Sequence, residues 1–346
     1  MRRPVIAVAL SGGIDSLVSG YLLAQKFKDV FGIHFHTGYE KTPTEIKEIK
    51  EQLGFPVTRI DVSQAFEKKV VTYFIKTYLD GKTPNPCMIC NREIKFGLLM
   101  DTAKKMGADY LATGHYAAVN NPMTIPGQTG PCYLEKGKDP KKDQSYFLSL
   151  LSEDQLQDII FPLAGVTKKQ VKDFAKSKQI APLHPSESQD ICFIHEKNFS
   201  EFIIKKNLFK PEKGNIIDIS GKIVGNHSGL HQFTIGQRRG INCPSTEPYY
   251  VKKIDVQNNI LQVCYKKDLA QKSCSVEQLN WNSTRTHKVI DIEAKIRYRH
   301  KGAGAALTIH GQTGFVEFDM PQNEITPGQG AVFYRKSRVL GAGIIQ

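Results

Sequence analysis

The chain has 346 residues, 40% hydrophobic and 23% charged, and Lys+Arg 47 against Asp+Glu 34 give a formal net charge of +13. That length supports two or three domains with real cores, and the basic surplus suits a polyanionic partner, nucleic acid foremost. No apolar run approaches membrane-spanning length, and the run after Met1-Arg2-Arg3-Pro4 is too short for a signal peptide. The seven cysteines therefore read as thiols or ligands of a cytoplasmic protein without membrane association.

The first predicted elements are a strand at 5–9, a turn Leu10-Ser11-Gly12-Gly13-Ile14-Asp15-Ser16, and a helix from Leu17 onward. Small residues let the turn bring successive N–H groups onto an anion at the helix start. Asp15 can hold a metal ion against the same phosphates, and Ser11 and Ser16 add hydroxyl donors. The Walker string G-x-x-x-x-G-K-[ST] does not occur. S-G-G-x-D-S resembles instead the pyrophosphate loop of enzymes that split ATP into AMP and pyrophosphate to adenylate a substrate.

Strands at 30–36, 56–62 and 109–113 alternate with helices at 43–53, 63–79 and 91–106. This rhythm predicts an α/β fold with a doubly wound parallel sheet and ligands at the carboxyl ends of its strands. Ser152-x-x-Gln155 and Thr167-x-x-Gln170 read as capping boxes opening two more helices. From Lys210 the pattern changes to hairpins at 216–224 and 249–265, then short strands at 290–298, 306–310, 315–320, 330–335 and 339–345. The expected domains are 1–207, catalytic; 208–271, a small central β domain; and 272–346, a C-terminal β-barrel that binds nucleic acid.

Thr83-Pro84-Asn85-Pro86-Cys87-Met88-Ile89-Cys90-Asn91 places two thiols in a proline-stiffened loop just before a helix, where thiolate is favoured. A third, Cys192, follows Ser188-Gln189-Asp190-Ile191. A lone C-x-x-C fits a zinc half-site or a redox pair; no second C-x-x-C is present to complete a four-thiolate zinc site. Cys132, Cys243, Cys264 and Cys274 share no spacing with the site and read as packing residues. His34 and His36 share one strand face, but without partner spacing they read as core or pocket residues.

These motifs occur in one order with Ala112-Thr113-Gly114-His115-Tyr116, Asp143-Gln144-Ser145-Tyr146-Phe147-Leu148, Ile235-Gly236-Gln237-Arg238-Arg239-Gly240 and Ile296-Arg297-Tyr298-Arg299. The ordered set closely resembles the tRNA-specific 2-thiouridylase family over essentially the whole chain. The resemblance implies an adenine-nucleotide α-hydrolase-like first domain, and a reaction in which ATP and Mg²⁺ adenylate C2 of the wobble uridine before sulfur displaces AMP. By the same match ATP lies at Ala9, Leu10, Ser11, Gly12, Gly13, Ile14, Asp15, Ser16, Phe35 and Gly114. Asn85, Pro86 and Cys87 line the target base, with Arg297 and Tyr298 approaching from the barrel. His115, Lys142, Asp143, Gln144 and Gln329 match tRNA contacts. Asp15, Cys90 and Cys192 are the expected catalytic residues, with Cys90 as nucleophile or sulfur-site cysteine in the base pocket and Cys192 as persulfide carrier.

Two departures matter: Phe35 stands where relatives carry methionine, and Cys87 where they carry aspartate. Three thiols, Cys87, Cys90 and Cys192, are then available to hold a four-iron cluster, in competition with a persulfide relay. The implied partners are tRNA and an upstream sulfur donor, either a persulfide carrier or a cysteine desulfurase. The competing functions are a pyrophosphate-loop synthetase acting on a small molecule and a non-catalytic RNA-binding iron–sulfur protein.

Overall fold

Apolar runs of strand length, each followed by an amphipathic helix, build the first half of the molecule. The computed structural model describes residues 2–40, 44–121, 131–183, 191–206, 210–281 and 289–346. β1 (Val5–Ala9), α1 (Ile14–Lys26), β2 (Asp29–His36), α2 (Ile46–Leu53) and β3 (Val57–Asp61) come first. α3 (Ser63–Phe66) and α4 (Thr72–Leu79) follow, joined through a π-helical turn at Glu67–Val71. α5 (Pro86–Cys90) and α6 (Met100–Lys105) are likewise joined by a π-helical stretch, Asn91–Leu99. Next come β4 (Tyr110–Ala112), the hairpin β5 (Ala117–Asn120) and β6 (Tyr133–Lys136), α7 (Ser145–Leu148) and α8 (Glu153–Gln157). β7 (Ile159–Ile160), α9 (Lys168–Ser177) and α10 (Phe199–Lys205) complete the half.

Among the described residues β3-β2-β1-β4-β7 form one parallel sheet. Residues alternate across it, as a strand's period of two requires. Ile6, Val8 and Leu10 pack with Leu17, Val18 and Leu53 on one face, while Ala7, Ala9 and Ile33 meet Phe66 and Phe74 on the other. Both faces are buried, the condition for an all-parallel sheet. Strand order reverses between β1 and β4, so a crevice opens at their carboxyl ends.

The helix expected at 91–106 begins earlier. Asn85 caps it, its side chain accepting from Met88 N at 3.4 Å, and Pro86 occupies the first turn. Cys87 and Cys90 therefore lie inside α5, not in a loop before it. Gln155 Nε2 donates to the carbonyls of Arg92 (3.0 Å) and Phe96 (2.7 Å), holding the π stretch. Both capping boxes form, Ser152 with Gln155 and Thr167 with Gln170.

β8 (Gly214–Ile217), β9 (Ile223–His227), β10 (Tyr250–Asp255) and β11 (Ile260–Cys264) make a small sheet in the order β10-β11-β8-β9, with both expected hairpins. β12 (Gln271–Trp281), β13 (Val289–Lys295), β14 (Ala303–His310), β15 (Thr313–Gln322), β16 (Gly330–Arg335) and β17 (Arg338–Ile345) follow. The β12–β17 pairing closes these six into a barrel. β13 ends at Lys295, so Arg297 and Tyr298 sit in the turn after it, not on the expected strand. The β5–β6 hairpin adds to β17 through Arg338 opposite Glu135, so part of the first half extends the barrel sheet.

Candidate active site

The loop after β1 is fixed from both sides. Leu10 N donates to Ile33 O at 2.9 Å, and His34 Nδ1 donates to Leu10 O at 2.8 Å. Gly12 takes φ +79°, which favours glycine, and Gly13 caps α1. Ser16 Oγ donates to Gly13 O at 2.8 Å and accepts from Ser11 N at 3.2 Å. Leu10 is fully buried and Ala9 nearly so. A Cβ on Gly114, at the end of β4, would lie 2.8 Å from the Asp15 carbonyl carbon. Glycine alone lets that segment close onto the loop. Ile14 and Phe35 are half-buried, Phe35 packing from β2 against the core.

Asp15 is the loop's anchor point. Lys168 Nζ reaches its two carboxylate oxygens at 2.8 and 2.7 Å, and Tyr116 donates its hydroxyl at 2.7 Å. Sequence reading overlooked Lys168. Its signal was a lysine at the start of a capping-box helix, where the helix dipole disfavours a cation. A glycine-rich turn, hydroxyls and a carboxylate at the start of α1 fit a Mg²⁺-bound polyphosphate.

The second cluster holds the three thiols. Cys87 and Cys192 are exposed and Cys90 is half-buried. Desolvation pushes Cys90 up to about 12 and Cys192 up to about 11, and raises Cys87. Lys95 supplies the cation that lowers all three, against the raising effect of desolvation. Lys95, also missed in the sequence, lies one π-helical turn beyond Cys90. The three thiols sense one another's charge. Among the described residues, however, no group of three or more His, Cys, Asp or Glu side chains is arranged to hold a metal ion. A four-iron cluster takes one thiolate per iron, so it does not require the three sulfurs to converge on a single ion.

His115 lies between the loop and the π-helical stretch that carries Lys95. It follows Gly114 directly, its Nδ1 lies 2.7 Å from Thr113 Oγ1, and its ring packs on Phe96 and Phe161. Burial holds its pKa well below the usual range, and Lys95 pushes it the same way. His34 is buried with its bond to Leu10, while His36 pairs with Glu40 at 2.7 Å, so neither joins a metal set. Cys132, Cys264 and Cys274 are buried and Cys243 half-buried.

Across the seam to the barrel, Asn85 and Pro86 are buried, with the Asn85 side chain beside the Tyr146 hydroxyl. Tyr298 lays its ring 4.5 Å from Phe147 and 6.1 Å from Tyr146. Arg297 pairs with Glu324 at 3.2 Å and influences Tyr146. The structure thus gathers Asn85, Arg297 and Tyr298. Other expected contacts are engaged inside the protein. Gln329 Nε2 donates to Thr83 O (3.0 Å) and Pro84 O (2.9 Å). Asp143 is buried and accepts from Gly137 N, Ser145 N and Ser145 Oγ, while Gln144 Oε1 accepts from Tyr116 N at 3.0 Å. Lys142 is half-buried. The segment 184–190 before Cys192 lies outside the described residues.

Three family models match in series: the tRNA methyl transferase HUP domain over residues 4–196, the tRNA methyl transferase PRC-barrel domain over 201–265, and the aminomethyltransferase beta-barrel domain over 271–345. The tRNA-specific 2-thiouridylase MnmA of Desulfosudis oleivorans is 46% identical over 99% of this chain and 95% of its own. That of Desulfotalea psychrophila is 38% identical over the full length of both, and that of Nitratidesulfovibrio vulgaris 40% identical over 98% of each. No helix among the described residues is long and apolar enough to cross a membrane. With three family models matched in series and full-length identity at this level, the chain belongs to the tRNA-specific 2-thiouridylase family.

Proposed function

We propose that this protein is an ATP-dependent sulfurtransferase that converts the wobble uridine of tRNA to 2-thiouridine. One observation carries the reading: Gly114 abuts the phosphate loop, and the adjacent His115 packs on Phe96 in the helical stretch whose Lys95 lies within charge range of all three thiols. A nucleotide at the loop and sulfur at the thiols are then neighbours. The uridine O2 forms a bond to the α-phosphorus of ATP, the bond to the bridging oxygen breaks, and pyrophosphate leaves with the electron pair. Mg²⁺ held at Asp15 would screen phosphate charge in this step.

Sulfur then attacks C2 and AMP departs. The reading assigns sulfur delivery to a persulfide on Cys192, filled by a persulfide carrier or a cysteine desulfurase. Cys90 then cleaves the resulting S–S bond, and an external dithiol reopens the Cys90–Cys192 disulfide. No step is assigned to an iron–sulfur cluster. Asn85, Arg297 and Tyr298 receive the base, extruded from a single-stranded loop. Incubating unmodified tRNA, ATP and a persulfide donor with the protein should yield AMP, pyrophosphate and thiolated tRNA together. AMP formation on a small molecule without tRNA would favour a synthetase instead.

A further inference from the structure

We propose that Lys168 is a catalytic residue of the adenylation step: the cation that receives the charge of the departing pyrophosphate, held ready on Asp15. The inference rests on the ATP reading above and adds a residue to it. Phosphate loops of the Walker type carry their lysine within the loop itself. The string Leu10–Ser16 has none, and the structure brings one in from 153 residues away.

Its setting is unfavourable for a lysine kept only for folding. The residue is 7% exposed and begins α9, whose first turn contains no acid. There the helix dipole and desolvation both oppose a cation. Two features nevertheless hold it in place. Thr167 and Gln170 fix the helix start, and the Lys168 backbone N–H donates to Asp139 Oδ2 at 2.9 Å. The ammonium is thereby delivered to the carboxylate of the phosphate loop. An ammonium has three rotatable donors, so it can pass from carboxylate to phosphate oxygens without moving its helix. In the reaction the uridine O2–Pα bond forms, the Pα–O bond to the β-phosphate breaks, and the N3 proton of uridine goes to water. The electron pair left on pyrophosphate is the charge Lys168 meets, and Asp15, relieved of the ammonium, would be available to hold Mg²⁺.

The test compares ATP with AMP, which lacks the β- and γ-phosphates, by calorimetric titration of the full-length protein. Lys168→Met should weaken ATP binding roughly 10- to 100-fold, the scale of a lost charge-assisted hydrogen bond, and leave AMP affinity unchanged. Lys168→Arg should recover most of the ATP affinity. If the unpaired Asp15 carboxylate unfolds Lys168→Met, Asp15→Asn/Lys168→Met removes that charge. Against Asp15→Asn alone it should bind ATP more weakly and AMP equally. Equal loss for ATP and AMP, or no loss for ATP, would overturn the proposal and leave Lys168 a brace. Thiolation of tRNA by the unaltered protein tests the underlying reading separately.

Discussion

Tyr116 and Gln144 hold one another through two hydrogen bonds, Tyr116 N to Gln144 Oε1 at 3.0 Å and Gln144 N to Tyr116 O at 2.8 Å. The same tyrosine donates its hydroxyl to Asp15. A segment matched to tRNA contact is therefore bonded to the residue that steadies the phosphate loop. Gln144→Ala should lower tRNA-stimulated AMP formation about 3- to 10-fold, one or so hydrogen bonds' worth. ATP affinity without tRNA should hardly change. Parallel titrations and rate measurements check this, and equal effects with and without tRNA would count against the link.

Asp15→Ala should abolish thiolation and also lower stability. Breaking a fully buried ion pair costs roughly 3–5 kcal/mol, and the Asp15 side chain is 31% exposed, so about 1–3 kcal/mol is expected here. Denaturant unfolding monitored by circular dichroism reads the loss. An unchanged midpoint would show that Lys168 does not depend on Asp15.

Histidines desolvated by the fold should make the protein acid-sensitive. Burial lowers the pKa of His34, His115, His227, His231 and His300. Below about pH 6.5 the unfolded chain binds protons that the folded one refuses, so stability is complete above that value and declines as pH falls toward the folded pKa values. The melting temperature should drop steadily from pH 7 to pH 5. His115→Gln should flatten that slope, since its shift is strongest in direction and cause.

The phosphate loop, the parallel sheet and both capping boxes were legible because each depends on a short local pattern. The strand β12 was not, because a register shift between Glu277 and Asn280, with Gln278 at φ +53°, breaks its alternation. Nor was the β5–β6 hairpin's addition to the barrel, which depends on a contact between Glu135 and Arg338 far apart in sequence. Cys87, Cys90 and Cys192 announced themselves by motif. Lys95 was hidden because only the π-helical register beyond Cys90 relates it to the thiols.

A two-thiol route assigns no sulfur-carrying step to Cys87. Cys90→Ser and Cys192→Ser should each abolish thiolation when sulfur is supplied as persulfide, whereas Cys87→Ser should keep activity within about 3-fold, a change of under 1 kcal/mol in barrier. Iron-free enzyme should perform as well as protein purified anaerobically. Parallel loss of iron and activity in Cys87→Ser would restore the cluster.

The most direct test follows the reaction on both substrates at once. Unmodified tRNA, ATP labelled at the α-phosphate and a persulfide donor are incubated with the protein, and the nucleotides and digested tRNA are then quantified. The account predicts one AMP and one pyrophosphate for each wobble uridine that gains sulfur in place of oxygen. ADP as the product, sulfur incorporation without ATP, or a uridine that gains a methyl group in place of sulfur would contradict it.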